Sequence, residues 1–159
     1  MGSCAITYLP SETNSALGAI PRLLDIGIKP DIMAGNIIGI IGQRLVRALC
    51  SFCKHPRRAE DVERLILGVD GPVTVWDACG CERCGGTGYK GRVSVLEILK
   101  MDAELDELIT QRASLRVMLR AAVGKGFKTM ADDGIRRVLE GHTTLEELSR
   151  VVDLTGRLA

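Results

Sequence analysis

Apolar residues in the stretch 14–26 ("NSALGAIPRLLDI") recur at helical spacing, and Gly27 stands where a helix stop is favoured. A helix is expected there, with Pro21 either kinking it or marking its true first turn. Asp31 is a candidate cap for a second helix running to about residue 49. Its start, "IMAGNIIGIIG", is densely apolar. Its continuation, "GQRLVRALC", puts Leu45 and Leu49 on one helical face and Arg44 and Arg47 nearer another. Gly35, Gly39 and Gly42, spaced four and three apart, read as close helix packing rather than a ligand loop. Residues 1–13 show no period and read as a frayed end, a short strand at "AITYL", or a vector-derived leader.

Further along, a short helical piece at 59–67, a strand at "GPVTVW" and a strand at 91–99 ("GRVSVLEIL") are predicted. The rest is a series of short capped helices. Asp102 precedes "AELDELIT", Ser114 precedes "LRVMLRAAV" with Gly124 as its stop, and Thr129 precedes "MADDGIRRVLE" with Gly141 as its stop. Thr143 and Glu146 make a capping-box pattern before the last helix. There is no internal repeat and no low-complexity tract.

Composition sharpens this picture. The chain has 159 residues, enough for one domain or two small lobes, and is 46% hydrophobic but only 3% aromatic. Its core must therefore be aliphatic, which leans to a mainly α fold with minor β. The formal net charge is +1, so no global basic field argues for nucleic acid. The apolar run at 32–42 is too short to span a bilayer, which takes roughly 20 residues. No signal-peptide pattern opens the chain, and a cytoplasmic location with reduced thiols is expected.

The chemistry lies in the cysteines. Cys50 and Cys53 form one C-x-x-C, and Cys81 and Cys84 a second. Such spacing lets each turn point two sulfurs at one ion, and two turns close a tetrahedral site with no open position, which suits structural zinc. Packed reduced thiols or a redox pair are the alternatives, but the thioredoxin-like βαβ context of a redox C-x-x-C is missing. Cys79 could compete as a ligand; Cys81 is preferred because its spacing to Cys84 matches the first pair. Cys4 reads as a bystander. His55 and His142, the only histidines, sit in no ligand frame and read as surface residues. "VGKGF" is not a phosphate-binding loop, and Asp132 with Asp133 reads as a helix first turn. No catalytic constellation stands out. Residues 50–89 hold few large apolar side chains beyond Leu65, Ile66, Leu67 and Trp76, so this lobe is expected to fold on its metal while the C-terminal helices persist without it.

"TNSALGAIPRLLDIGIKP", "GQRLVRALCSFCK", "GCERCGGTGYKGRVSVLEIL" and "DDGIRRVLEGHTTLEEL" occur in this order. Together they resemble the C-terminal part of the type II secretion and type IV pilus assembly ATPases, over about residues 13–152. The resemblance implies the end of a RecA-like ATPase domain (14–49), a tetracysteine zinc subdomain (50–90) and a strand plus helical subdomain (91–159). It places the family's zinc ligands at Cys50, Cys53, Cys81 and Cys84. It implies a hexameric motor, run on ATP and magnesium, bound to inner-membrane platform proteins and itself peripheral to that membrane.

The chain departs from the family at the nucleotide site. It has no Walker A loop, no Walker B acid and no acidic box, and Glu12 stands where the family has a histidine before "TN". No ATPase activity is expected of it alone, since nothing would hold the β- and γ-phosphates. The leading reading is a non-catalytic motor fragment, largely monomeric, with Arg44, Arg47 and Arg92 as candidate contacts to subunits or partners. A zinc-ribbon nucleic-acid binder and a chaperone-type cysteine-rich module ("CERCGGTG") are the competing readings. Few aromatics for base stacking oppose the first, and the lack of glycines after "CSFC" opposes the second.

Overall fold

A computed structural model of the chain describes residues 15–157, so Cys4, Glu12 and the possible strand at "AITYL" lie outside the described residues. Helix α1 (Ala19–Asp25) carries Pro21 at its third position. Pro21 therefore marks the first turn, where its missing N–H has no intrahelical partner to lose. Helix α2 is only one turn, Pro30–Met33, with Lys29 as cap, Pro30 opening it and Asp31 in its first turn.

The second expected helix does not continue. Residues Gly39–Leu49 form strand β1, which pairs antiparallel with β4 (Tyr89–Lys100) in the register Ile41↔Ile98, Leu45↔Ser94 and Arg47↔Arg92. The physical reason is in the composition: isoleucines and three glycines disfavour a helix, while alternation across a strand buries Val46 against Val95 and leaves Ile41 and Ile98 outside. The glycines still serve close packing. A Cβ on Gly42 would stand 2.9 Å from Glu97 Cγ and 3.2 Å from Met130 Cε. Arg44 and Arg47, expected on one basic helical face, project from opposite faces of the strand.

Strands β2 (Lys54–Arg58) and β3 (Thr74–Ala78) form a second antiparallel ribbon, joined by α3 (Asp61–Leu67). Arg57 on β2 forks onto Glu63 (2.6 Å to each carboxylate oxygen) and onto Asp77 of β3 (2.8 Å), fixing α3 to the ribbon. The expected caps of α4 (Ala103–Thr110) and α6 (Met130–Leu139) are present. Asp102 accepts the Leu105 N–H and Thr129 accepts the Asp132 N–H. Ser114 precedes α5 (Leu115–Gly124) without a side-chain cap bond. The last helix, α7 (Leu145–Ser149), is capped by Thr144 onto the Glu147 N–H, one residue later than the expected Thr143–Glu146 pair. Thr143 is instead fully buried, and its hydroxyl donates to the Arg47 carbonyl (2.9 Å).

Two hydrophobic cores result. The first joins Val46, Val75 and Val95 of the ribbons to Leu67 of α3, Ile135 and Val138 of α6, and Leu148 of α7. The second joins Ile20 and Met33 of α1 and α2 to Leu105, Ile109 and Met118 of α4 and α5, beside Leu99. Helices α4 and α5 pack with the N-terminal helices, whereas α6 and α7 pack with the cysteine-bearing region. Glu97, 3% exposed, sits between them and accepts the Ala16 N–H at one oxygen and the Met130 N–H (3.0 Å) at the other.

Candidate metal centre

Each C-x-x-C closes a tight turn. After β1, the Cys53 and Lys54 N–H groups bond back to the Cys50 carbonyl (3.3 and 3.0 Å). After β3, a 3-10 turn (Glu82–Cys84) follows Cys81, and the Cys84 and Gly86 N–H groups bond to the Cys81 carbonyl (3.1 and 2.9 Å). Gly85 and Gly86 hold φ of 61° and 77°, a region that favours glycine, so the chain can curl around the sulfurs. The Cys50 N–H bonds to the Gly88 carbonyl (2.9 Å) and brings the two turns face to face.

The four sulfurs of Cys50, Cys53, Cys81 and Cys84 lie within 4.8 Å of one another. The Cys50–Cys81 pair is 3.9 Å apart, and Cys53–Cys84 and Cys81–Cys84 are each 3.8 Å apart. A tetrahedron with metal–sulfur bonds of about 2.3 Å has edges of about 3.8 Å, so these separations suit one ion at the centre. No disulfide links the four. Burial opposes ionisation of Cys84, but the Cys81 and Gly88 N–H groups, at 3.1 and 3.2 Å from its sulfur, outweigh it and bring its pKa down to about 6. Burial pushes Cys53 the other way, up to about 12, against the Gly80 N–H and with the help of the three neighbouring sulfurs. Four thiolates at this spacing would repel one another unless a cation stood among them. An ion bound by all four sulfurs would keep no position for water or substrate.

Cys79 is exposed and does not belong to this group. His55 and His142 are exposed, as expected. Gly80 and Gly88 were not singled out in the sequence, yet both matter. A Cβ on Gly80 would meet the Gly86 carbonyl oxygen at 2.5 Å, and one on Gly88 would meet Ala78 Cβ at 2.7 Å. The signal was their place, Gly80 directly before the second C-x-x-C and Gly88 four residues after it. At the knuckle tip Arg83 stacks over exposed Phe52, 3.9 Å from its ring centre.

Polar straps fasten α6 and α7 to this centre. Lys54 donates to the Gly141 carbonyl (2.8 Å), the Leu49 N–H to the His142 carbonyl (2.8 Å), and the Tyr89 and Thr144 hydroxyls meet at 2.9 Å. Glu147, 7% exposed, accepts the Arg47 backbone N–H (3.0 Å) and its guanidinium (2.6 Å). That guanidinium holds the Glu147 carboxyl below the ordinary range and lies over the Tyr89 ring. Arg47 is thus engaged within the chain.

A sequence profile described as Type II/IV secretion system protein matches residues 11–150. The chain is 45% identical over 142 residues to a "Type II secretion system protein E" of Pseudomonas aeruginosa, covering 88% of this chain and 28% of that protein. It is 40% identical over 148 residues to the "Type IV pilus assembly ATPase PilB" of Thermus thermophilus, covering 89% of this chain and 16% of that protein. To the "Type IV pilus assembly ATPase TfpB" of Acinetobacter baylyi it is 36% identical over 148 residues, covering 91% and 25% respectively. The chain thus spans between 16% and 28% of the length of these relatives.

Proposed function

The chain belongs to the Type II/IV secretion system protein family, and from that premise we propose that it acts as a metal-stapled, non-catalytic part of an ATPase that drives type II secretion or type IV pilus assembly. The ion is zinc, held by Cys50, Cys53, Cys81 and Cys84, and its role is structural. The observation that carries this reading is the cluster of four sulfurs within 4.8 Å inside the segment shared with the named secretion and pilus ATPases. The division into an ATPase-domain end, a tetracysteine subdomain and a C-terminal helical subdomain belongs to the same reading, as does a cytoplasmic place at the inner membrane beside platform proteins. No helix among the described residues is long and apolar enough to cross a membrane.

No phosphate-cradling G-x-x-x-x-G-K-[ST] sequence occurs in the chain. The chain alone is therefore a scaffold and contact piece, monomeric in dilute solution, that neither binds nor hydrolyses ATP. The lobe's sulfur geometry and the near-neutral net charge favour this over a nucleic-acid-binding zinc module. The test is metal analysis of the purified chain together with an ATP titration by calorimetry. One zinc per chain and no nucleotide heat are expected. Substoichiometric zinc that does not rise on reconstitution, or stoichiometric ATP binding, overturns the reading.

A further inference from the structure

Glu97 lies on β4 directly opposite Gly42 of β1 and is buried. Its two oxygens serve distant parts of the chain. Oε1 accepts the Ala16 N–H, and Oε2 accepts the Met130 N–H (3.0 Å). Ala16 opens the turn that leads into α1, its own carbonyl accepting the Ala19 N–H (3.2 Å), and Met130 is the first residue of α6. Both donors stand at helical starts, where backbone N–H groups have no intrahelical partner. Gly42 makes the room for this arrangement. A Cβ there would stand 2.9 Å from Glu97 Cγ and 3.0 Å from its Oε1.

We propose that Glu97 is a positioning residue that couples the turn at Ala16 to the start of α6, so that the two are held or released together. A buried oxygen left without its donor bears the full desolvation cost of the group. Withdrawal of the Met130 N–H therefore drives the carboxylate toward water and off the Ala16 N–H, and by linkage the reverse holds equally. A carboxylate suits this place because it accepts at both oxygens. The same-shaped amide of glutamine accepts at one end and donates at the other, so it can serve only one of the two N–H groups. Helix α6 packs in the first core and Ala16 in the second, so Glu97 carries a displacement of one core into the other. One consequence rests on the proposed function: in the division given there, Ala16 lies in the ATPase-domain end, and a shift of the C-terminal helix α6 is felt at that end.

Amide exchange of the metal-loaded chain, followed residue by residue by nuclear magnetic resonance, tests the link. Glu97→Gln should speed exchange at both Ala16 and Met130 by about tenfold or more, because one bond is lost and the other follows it. Gly42→Ala, on the facing strand, should do the same by displacing the carboxylate while Glu97 itself is intact. Thr129→Ala removes the side-chain cap of α6. It should speed exchange at Ala16 when Glu97 is present and add nothing there when combined with Glu97→Gln. A carboxylate with a merely structural role would instead give additive effects. Zinc is measured in every sample, so that its absence bears on the proposed function and the amide comparison on Glu97 alone. Ala16 exchange unchanged by Thr129→Ala, additive effects in the double variant, or Ala16 and Met130 amides that respond separately to Gly42→Ala would each overturn the proposal.

Discussion

The two cores bury different kinds of side chain. Around α4 and α5 the fully buried set is Ile20, Met33, Leu99, Leu105 and Ile109; around the cysteines it is Leu148, three valines (Val46, Val95 and Val138), Thr143 and Cys50. A buried Leu, Ile or Met contributes about 1.5–3 kcal/mol, and a valine lies at the low end. The second core therefore holds itself by apolar volume. The first is no smaller, but its most deeply buried side chains are smaller ones, and the sulfur cluster, the Arg57 fork and the straps from β1 and β2 to α6 and α7 add polar ties to it. Metal binding is folding free energy in such a region. Among the C-terminal helices, α6 and α7 pack in the first core beside the cysteine turns, and α4 and α5 pack in the second.

Cys81→Ser breaks the comparison most severely. Apparent zinc-binding free energies of about 10–16 kcal/mol are coupled to folding in small metal lobes, so the variant should lose its zinc and the ordered structure of the first core together. Zinc analysis and near-ultraviolet circular dichroism at Trp76 report both; retained metal would remove Cys81 from the ligand set. Leu105→Ala acts on the other core. It should cost about 2–5 kcal/mol in denaturant unfolding while zinc content stays unchanged, and coupled loss of zinc would mean that the cores are one unit.

Smaller effects sharpen the same contrast. Glu147→Gln weakens the strap from α7 to β1 and should cost about 1–3 kcal/mol at neutral pH, the range for disturbing a buried partner of an N–H and a charge. Glu147 has its carboxyl held down by Arg47. Its contribution is thus complete above the ordinary carboxylate pKa of about 4.3 and drains away as pH falls through the lower folded value. The wild type should lose stability over that acid window more steeply than Glu147→Gln does, as measured by thermal unfolding against pH; parallel profiles would contradict the assignment. Cys79→Ser, at an exposed sulfur outside the cluster, should change neither zinc content nor melting temperature. A loss of zinc there would show that Cys79, not Cys81, completes the site.

The site was legible in the sequence because its geometry is local. Two C-x-x-C turns declare their sulfurs within four residues each, and the caps at Asp102 and Thr129 depend only on the next three residues. β1 was not legible because its reason lies elsewhere. "GIIGQRLVRAL" has apolar residues dense enough for either period, and its partner Tyr89–Lys100 lies some 40 residues on. Glu97 had a readable signal that went unused. In a strand, Val93, Val95, Glu97 and Leu99 share one face, so the parity that buries the valines also buries the carboxylate. That a buried carboxylate there meets the N–H groups of Ala16 and Met130 could not be read, because those partners come from opposite ends of the chain.

Amide hydrogen exchange of the zinc-loaded chain, with and without a chelator that strips the metal, tests most directly whether the metal holds one core and not the other. Removal of zinc should abolish protection in β2, β3, α3, α6 and α7 while α4 and α5 keep theirs. Protection retained throughout after full metal loss, or lost equally in α4 and α5, would contradict the account.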